Sequence, residues 1–477
     1  MPTKPIILLE FNELCPSLMT QFIEEGHLPN FKRLRDSSAI FTTEAKERAP
    51  YLEPWIQWIN VHAGVPFSEH GVEHLGESAK VKQPAVWDLL SHAGMKVWIC
   101  GSMNVHCTSS VKGDLLPDPW TAESMTRPPE LLTYNRFIRK QVQEHSNASA
   151  KFAKTDYLRF VAFMLKHGLS LHTVKSAVRQ LSKERSEGKR WRRAFILDLL
   201  QYDVFRHLYQ KGKPDLSTFF LNSTAHMQHC YWRNMQPEVF KIQPTEAEQK
   251  EYSSAILEGY VHMDRLIARI LDLVGDDATI FFSTAISQQP YLKLEDQGGK
   301  HIYRPSDIPR FVRWAGITDL KQCNPVMAEQ FWLEFETHEQ VEAAAAVLNA
   351  ITVNGEKAFD IKVEDTALFT GFSIRKKISQ DAVMVSPVNG ASIRFFDLLY
   401  AIEGMKSGMH HQDGILWIRD SRISKSSNPR VALESIAPTI LDLLAVPIPA
   451  HMKDPSLLRA RPTVQAPSYA EELQPAS

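Results

Sequence analysis

Ile6-Ile7-Leu8-Leu9 is a continuous apolar run that closes on polar residues. Neighbouring side chains on a strand point to opposite faces, so such a run fits a strand buried on both sides, as in a parallel sheet covered by helices. The spacing that follows predicts a helix from about Ser17 to Glu25, with Gly26 as its stop. Pro84 to Gly94, with Trp87, Leu89 and Leu90, reads as a further helix, and Lys96 to Cys100 as a strand ending at Gly101. Ser217 to Leu221, Thr279 to Ser283 and Gly414 to Ile418 repeat the strand pattern, and Ile436 to Leu444 reads as a helix. This rhythm predicts an α/β fold with right-handed crossovers and ligands at the carboxyl ends of the strands.

Two excursions interrupt the rhythm. The helical spacing and dense charge of 120–213 predict a helical insertion, a candidate lid, and 323–395 reads as a small α+β insertion with a strand at Phe331 to Phe335 and a helix near Glu339 to Ala350. The core then comprises 1–119, 214–322 and 396–465, with a loose tail over 466–477. Glu246 to Val274 reads as one long amphipathic helix, and the basic run Lys183 to Arg193 as a solvated helix face.

Composition narrows the partners. The 54 Lys and Arg against 55 Asp and Glu leave a formal charge of -1, so no global field favours nucleic acid or an anionic membrane. The five cysteines are scattered without any CxxC spacing, which points to a reducing compartment. No basic-then-apolar leader precedes the first strand and no apolar stretch approaches a bilayer span, so a cytoplasmic protein is expected.

Six segments, in chain order, carry a resemblance. They are Ile6 to Met19; Leu28-Pro29-Asn30-Phe31-Lys32-Arg33-Leu34; Leu52-Glu53-Pro54-Trp55 through to Glu69-His70-Gly71-Val72; Gly408-Met409-His410 leading to Asp413-Gly414-Ile415; Ile436 to Leu444; and Val446-Pro447-Ile448-Pro449. Together they resemble the phosphodiesterase and nucleotide pyrophosphatase branch of the alkaline phosphatase superfamily. The resemblance implies a large, mainly parallel sheet flanked by helices, and phosphoryl or sulfuryl ester chemistry at two metal ions, which stabilise attacking and leaving oxygens and activate a hydroxyl nucleophile.

Most of that site has been replaced. The family's first-strand aspartate aligns with Asn12, with Glu10 two residues earlier on the same side of the strand. Its nucleophile aligns with Glu53, a carboxylate that ligates metal, acts as general base or attacks as nucleophile, but is not activated as an alkoxide is. The Asp-x-x-x-His element falls on Asn222-Ser223-Thr224-Ala225-His226-Met227-Gln228-His229, where one register retains His226 and the other His229. The Asp-His pair falls on Thr284-Ala285, with Gln288 and Gln289 beyond it, and the last histidine ligand aligns with His410.

The expected assignment is therefore Glu53, Asn12 and His226 for catalysis, Glu10, His229 and His410 for metal, and Asn222 and Gln288 for substrate. It predicts an enzyme acting on a small phospho- or sulfo-ester with at most one divalent metal, zinc or manganese, and no organic cofactor. Two other readings stand beside it: a retired hydrolase that binds a ligand or regulates, and a metal-free transferase or lyase using Glu and His as acid and base.

Overall fold

The computed structural model describes residues 3–145, 152–388, 390–425 and 427–458; the expected tail over 466–477 lies outside them. The centre is a sheet of eight strands. Six come first in the chain: β1 (Ile6–Phe11), β2 (Ala39–Glu44), β3 (Val97–Cys100), β4 (Gly113–Leu116), β5 (Leu216–Leu221) and β6 (Thr279–Ser283). The strands Asp413–Arg419 and Ser427–Ala432 complete it. From one edge the order is Ser427–Ala432, β2, Asp413–Arg419, β6, β1, β5, β3, β4. Asp413–Arg419 alone runs antiparallel to its neighbours, and the remaining strands share one direction. The sheet is thus large, mainly parallel and flanked by helices.

The continuous apolar pattern of β1 has the consequence expected of it. Ile7, Leu9 and Phe11 enter a core with Phe219, Phe282 and the helix Ala255–Val274, while Ile6 and Leu8 enter a second core on the other face with Trp58, Trp87 and Leu416. Each fully buried Leu, Ile or Phe contributes ~1.5–3 kcal/mol relative to an exposed one. Three helices near the site begin on proline: α1 (Pro16–Glu24), α2 (Pro29–Asp36) and α3 (Pro54–Ala63). Proline suits the first helical turn because its missing N–H has no intrahelical partner there.

Between β4 and β5 the chain forms the helices Leu132–His145, Lys154–Lys166, Leu171–Glu187 and Arg193–Gly212. A separate four-stranded sheet joins Phe359–Glu364, Ala367–Phe372, Gln330–Glu334 and Gln322–Pro325, with a core of its own against the helix His338–Ala350. One expectation is corrected: Glu246 to Val274 is two helices, Glu246–Tyr252 and Ala255–Val274. The residues joining them, Ser253 and Ser254, have low helix preference because their hydroxyls compete for local hydrogen bonds; the Ser254 hydroxyl donates to Glu258.

Candidate active site

The carboxyl ends of the parallel strands converge on Glu13. β1 ends at Phe11, and Glu13 takes a left-handed backbone conformation, φ 59°, that turns the chain out of the sheet. Its N–H donates to the Thr284 carbonyl at 3.1 Å and its own carbonyl accepts from Gln228 Nε2 at 2.8 Å. The side chain is buried and holds four partners. Asn12 Nδ2 donates to Oε1 at 2.7 Å, Gln288 Nε2 donates to Oε2 at 2.5 Å, and the Nε2 atoms of His229 and His410 lie 3.1 and 3.5 Å from Oε2.

Two further elements bring in the imidazoles. His229 stands on the helix Ser223–Met235 that follows β5, and His410 on the short strand Gly408–His411, which pairs antiparallel with Ser287–Pro290 so that His410 lies opposite Gln288. The two rings meet edge to face at 5.1 Å between centroids. Gly408 permits this approach, because a Cβ there would lie 2.4 Å from the Gln228 carbonyl oxygen and 2.6 Å from Gln288 Oε1.

Glu53 is the residue before α3. Pro54 disfavours helical backbone at the preceding position, and Glu53 is extended, φ -115° and ψ 138°, with no side-chain bond to the helix it precedes. Its carboxyl faces the site instead, with Oε2 3.5 Å from His410 Nδ1, and its side chain keeps 31% of its surface open to solvent. Glu53 is thus the acidic group of this cluster that solvent reaches most easily.

Burial and neighbouring charge set the protonation states. Burial pushes the Glu13 carboxyl up, but the His410 and His229 imidazoles and the hydrogen bonds from His229 and Gln288 outweigh it and hold it at about 2. Burial pushes His410 down to about 4 despite the attraction of Glu13. Glu53 is pushed up to about 8, first by desolvation and then by the charges of Glu13 and Glu329, with Lys300 opposing them. At neutral pH the site therefore holds an ionised Glu13, a neutral His410 and a protonated Glu53.

The remaining expected site residues are placed as follows. Glu10 is not brought to this cluster. It lies on the face of β1 that meets α3, where its Oε1 sits 2.6 Å from His62 Nε2 with both side chains fully buried. Asn12 is held between Trp58, which donates to its Oδ1 at 2.8 Å, and Asn222, whose Oδ1 accepts from it at 2.7 Å. Gln288 also donates to the Ala225 carbonyl at 2.9 Å. Asn12 and Gln288 thus hold Glu13 directly, and Asn222 orients Asn12. His226 is outside the group formed by Glu13, His229 and His410, and its Nε2 lies 3.8 Å from Cys230 Sγ. Thr284, at the lost Asp-His pair, closes the sheet by accepting from the Ile415 N–H at 2.8 Å.

The donor atoms of Glu13, His229 and His410 all lie within 4.8 Å of one another. A backbone carbonyl only accepts, so the 3.2 Å contact of His229 Nδ1 with the Gly408 oxygen makes Nδ1 the donor. In the neutral ring Nε2 then turns its lone pair on the ionised Glu13 oxygen. That juxtaposition calls for a proton or a cation between them, and a hydrogen bond from the second ring nitrogen to a carbonyl is the usual support of a metal-ligating histidine. The residues present fit one divalent ion.

The segments carrying the sequence resemblance thus include the end of β1, the start of α3 and the strand of His410, which meet at the strand carboxyl ends. They meet on a large, mainly parallel sheet flanked by helices, the architecture that the resemblance implied. No protein-family model matches it, and no curated protein matches it in sequence. Similar solved structures include the alkaline phosphatase PafA, at 11% identity, TM-score 0.48 and coverage of 96% of this chain and 98% of that one. Phosphonoacetate hydrolase from Sinorhizobium meliloti 1021, in complex with phosphonoformate, is similar at 11% identity and TM-score 0.41, covering 93% of this chain and 96% of that one. Human ectonucleotide pyrophosphatase / phosphodiesterase 5 is similar at 6% identity and TM-score 0.42, covering 94% and 96%. Likenesses of this size assign no chemistry.

Proposed function

We propose that this chain is a single-metal hydrolase or transferase acting on a small phosphoryl or sulfuryl ester, with zinc or manganese held by Glu13, His229 and His410. The observation that carries this reading is the convergence of two imidazole Nε2 atoms on one ionised, buried carboxylate oxygen. Two nitrogens and one carboxylate with open positions are a donor set of catalytic zinc sites, and manganese also accepts carboxylate and imidazole. Such an ion supplies Lewis acidity and charge neutralisation to an ester oxygen.

The chain's own residues do the rest. Asn12 and Gln288 fix the Glu13 carboxylate, and Asn222 and Trp58 hold Asn12, so the ligand set is positioned before substrate arrives. The Glu53 carboxyl, pushed up to about 8, keeps a proton at neutral pH, and its side chain is partly open to solvent, which suits delivery to a leaving oxygen and return from an attacking hydroxyl. Lys300 lies close enough to Glu53, Glu329 and His410 for its charge to act on each, and burial holds its ammonium below the usual range. Its ammonium lies 5.0 Å from the centre of the Tyr291 ring and has no ion pair among the described residues, which leaves its charge to be met by an anionic ester oxygen.

A retired hydrolase would be expected to neutralise its orphaned acids with internal Lys or Arg. Here Glu13 faces imidazoles and amides, and Glu53 Oε2 lies 3.5 Å from His410 Nδ1. The test is metal content of purified protein together with turnover of p-nitrophenyl phosphate, its diester and the sulfate, with and without chelator. Stoichiometric metal, chelator-sensitive turnover and its loss in Glu53→Gln are expected. Absence of bound metal together with turnover unchanged in Glu53→Gln would remove the proposal.

A further inference from the structure

The helix Lys154–Lys166 buries Phe160, Phe163 and Met164, the helix Leu171–Glu187 buries Thr173, and both leave apolar residues exposed. Phe160, Phe163 and Met164 point into the core, whereas Leu158 is 70% exposed and Leu165 68%. After a short connection Leu171 is 77% exposed and Val178 63%. The spacing is regular: Leu158, Val161 and Leu165 in the first helix, then Leu171, Val174, Val178 and Leu181 in the second, are separated by three and four residues and so lie on one stripe of each helix. Single exposed leucines are ordinary on a protein surface, but an exposed apolar stripe along each of two consecutive helices marks an interaction face.

Charge identifies what the face meets. Residues 154–193 carry eleven Lys and Arg against three Asp and Glu, in a chain whose formal net charge is -1. Some of these cations are used internally: Arg192 grips Glu258 through two hydrogen bonds of 2.7 Å, and Arg193 pairs with Glu184. Lys154, Arg159, Lys166, Lys175, Arg179 and Arg190 are exposed and have no ion pair among the described residues. We propose that these two helices dock on the surface of an anionic lipid bilayer, with the leucine and valine stripes entering the headgroup layer and the flanking Lys and Arg meeting lipid phosphates.

An amphipathic helix with a basic polar face is the form that lies in a membrane interface rather than crossing it. Among the described residues no helix is long and apolar enough to cross a membrane. A second copy of the chain would set two positively charged faces against each other, and a nucleic acid would leave the apolar stripes without a partner. The proposal departs from the expectation, drawn from overall composition, that no membrane partner exists, because the local surplus is cancelled in the whole-chain sum. It is also independent of the metal site.

The test is co-sedimentation of the full chain with vesicles of phosphatidylcholine alone and of phosphatidylcholine mixed with phosphatidylglycerol. Binding to the mixed vesicles, little binding to the neutral ones, and weakening by salt are expected. Leu165→Glu with Val178→Glu should reduce binding at least tenfold, and Lys175→Glu with Arg179→Glu should reduce it severalfold; both pairs replace exposed side chains, and circular dichroism checks that the variants are folded. No binding to anionic vesicles at low salt, or binding that the Leu165→Glu and Val178→Glu pair leaves unchanged, overturns the proposal. So does a dimer dispersed by that pair in a chain that ignores vesicles, since the stripes would then belong to a second copy.

Discussion

Metal added to metal-free protein should raise its thermal midpoint, and the size of the rise follows from the site and the chain length. A ligand present at one hundred times its dissociation constant stabilises the state that binds it by about 2.7 kcal/mol. Unfolding entropy is ~2.1 cal/mol/K per residue, which over 477 residues is ~1 kcal/mol/K, so zinc at that excess should raise the midpoint by ~3 °C. The assay is a melt of chelator-treated protein titrated with zinc and then with manganese, followed by calorimetry or tryptophan emission. His410→Ala and Glu13→Gln each delete a donor and should abolish most of the rise. His226→Ala should keep it, because His226 is not in the group formed by Glu13, His229 and His410. A rise of equal size in wild type and in both ligand variants would refute the assignment of Glu13 and His410, and no rise with either metal would refute the site.

Other outcomes follow from single contacts. Gly408→Ala places a methyl against the Gln228 carbonyl and Gln288 and must displace the strand of His410, so metal affinity measured by competition with a chromophoric chelator should fall by at least the ~10–100-fold typical of losing a supporting partner. Glu434, buried beside Lys46, is pushed up to about 7, first by desolvation. Its folded form keeps a proton that the unfolded chain has released above about 4.5, so stability falls as pH rises from about 4.5 to about 7, by about 3 kcal/mol. Glu434→Gln should therefore raise the urea midpoint at pH ~8 and change it little near pH ~5. His106 is pushed down to about 3 chiefly by burial, so the unfolded chain takes up a proton near pH 6.5 that the folded one refuses, and stability falls as pH drops from about 6.5 to about 3. His106→Gln should flatten that acid limb in denaturant titrations at stepped pH.

The fold was legible because it depends on features that a sequence states directly. Short apolar runs such as Ile6 to Leu9 and Ile280 to Phe282 become central strands, with alternate side chains entering the cores on the two faces of the sheet. His410 and Glu53 were legible as positions, each fixed by neighbouring Gly or Pro residues that constrain the backbone carrying it. The choice between His226 and His229 was not. It depends on which side of the helix Ser223–Met235 meets the strand Gly408–His411, a tertiary contact with no local signature, and there it is His229 that bonds the Gly408 carbonyl.

Glu13 escaped the sequence reading for a more specific reason. Period-two alternation placed Glu10 and Asn12 on one side of β1, and both do point toward α3, to His62 and Trp58. The alternation stops where the strand does, at Phe11. Glu13 then adopts the left-handed conformation, uncommon for a residue with a Cβ, and swings its carboxylate toward the two histidines. Strain of this kind persists only where surroundings over-determine it, and here the Thr284 carbonyl, Gln228, Asn12 and Gln288 all bind this one residue. On the proposed reading the carboxylate absent at Asn12 is supplied one position later, by Glu13, with Asn12 holding it and the imidazoles of His229 and His410 facing it.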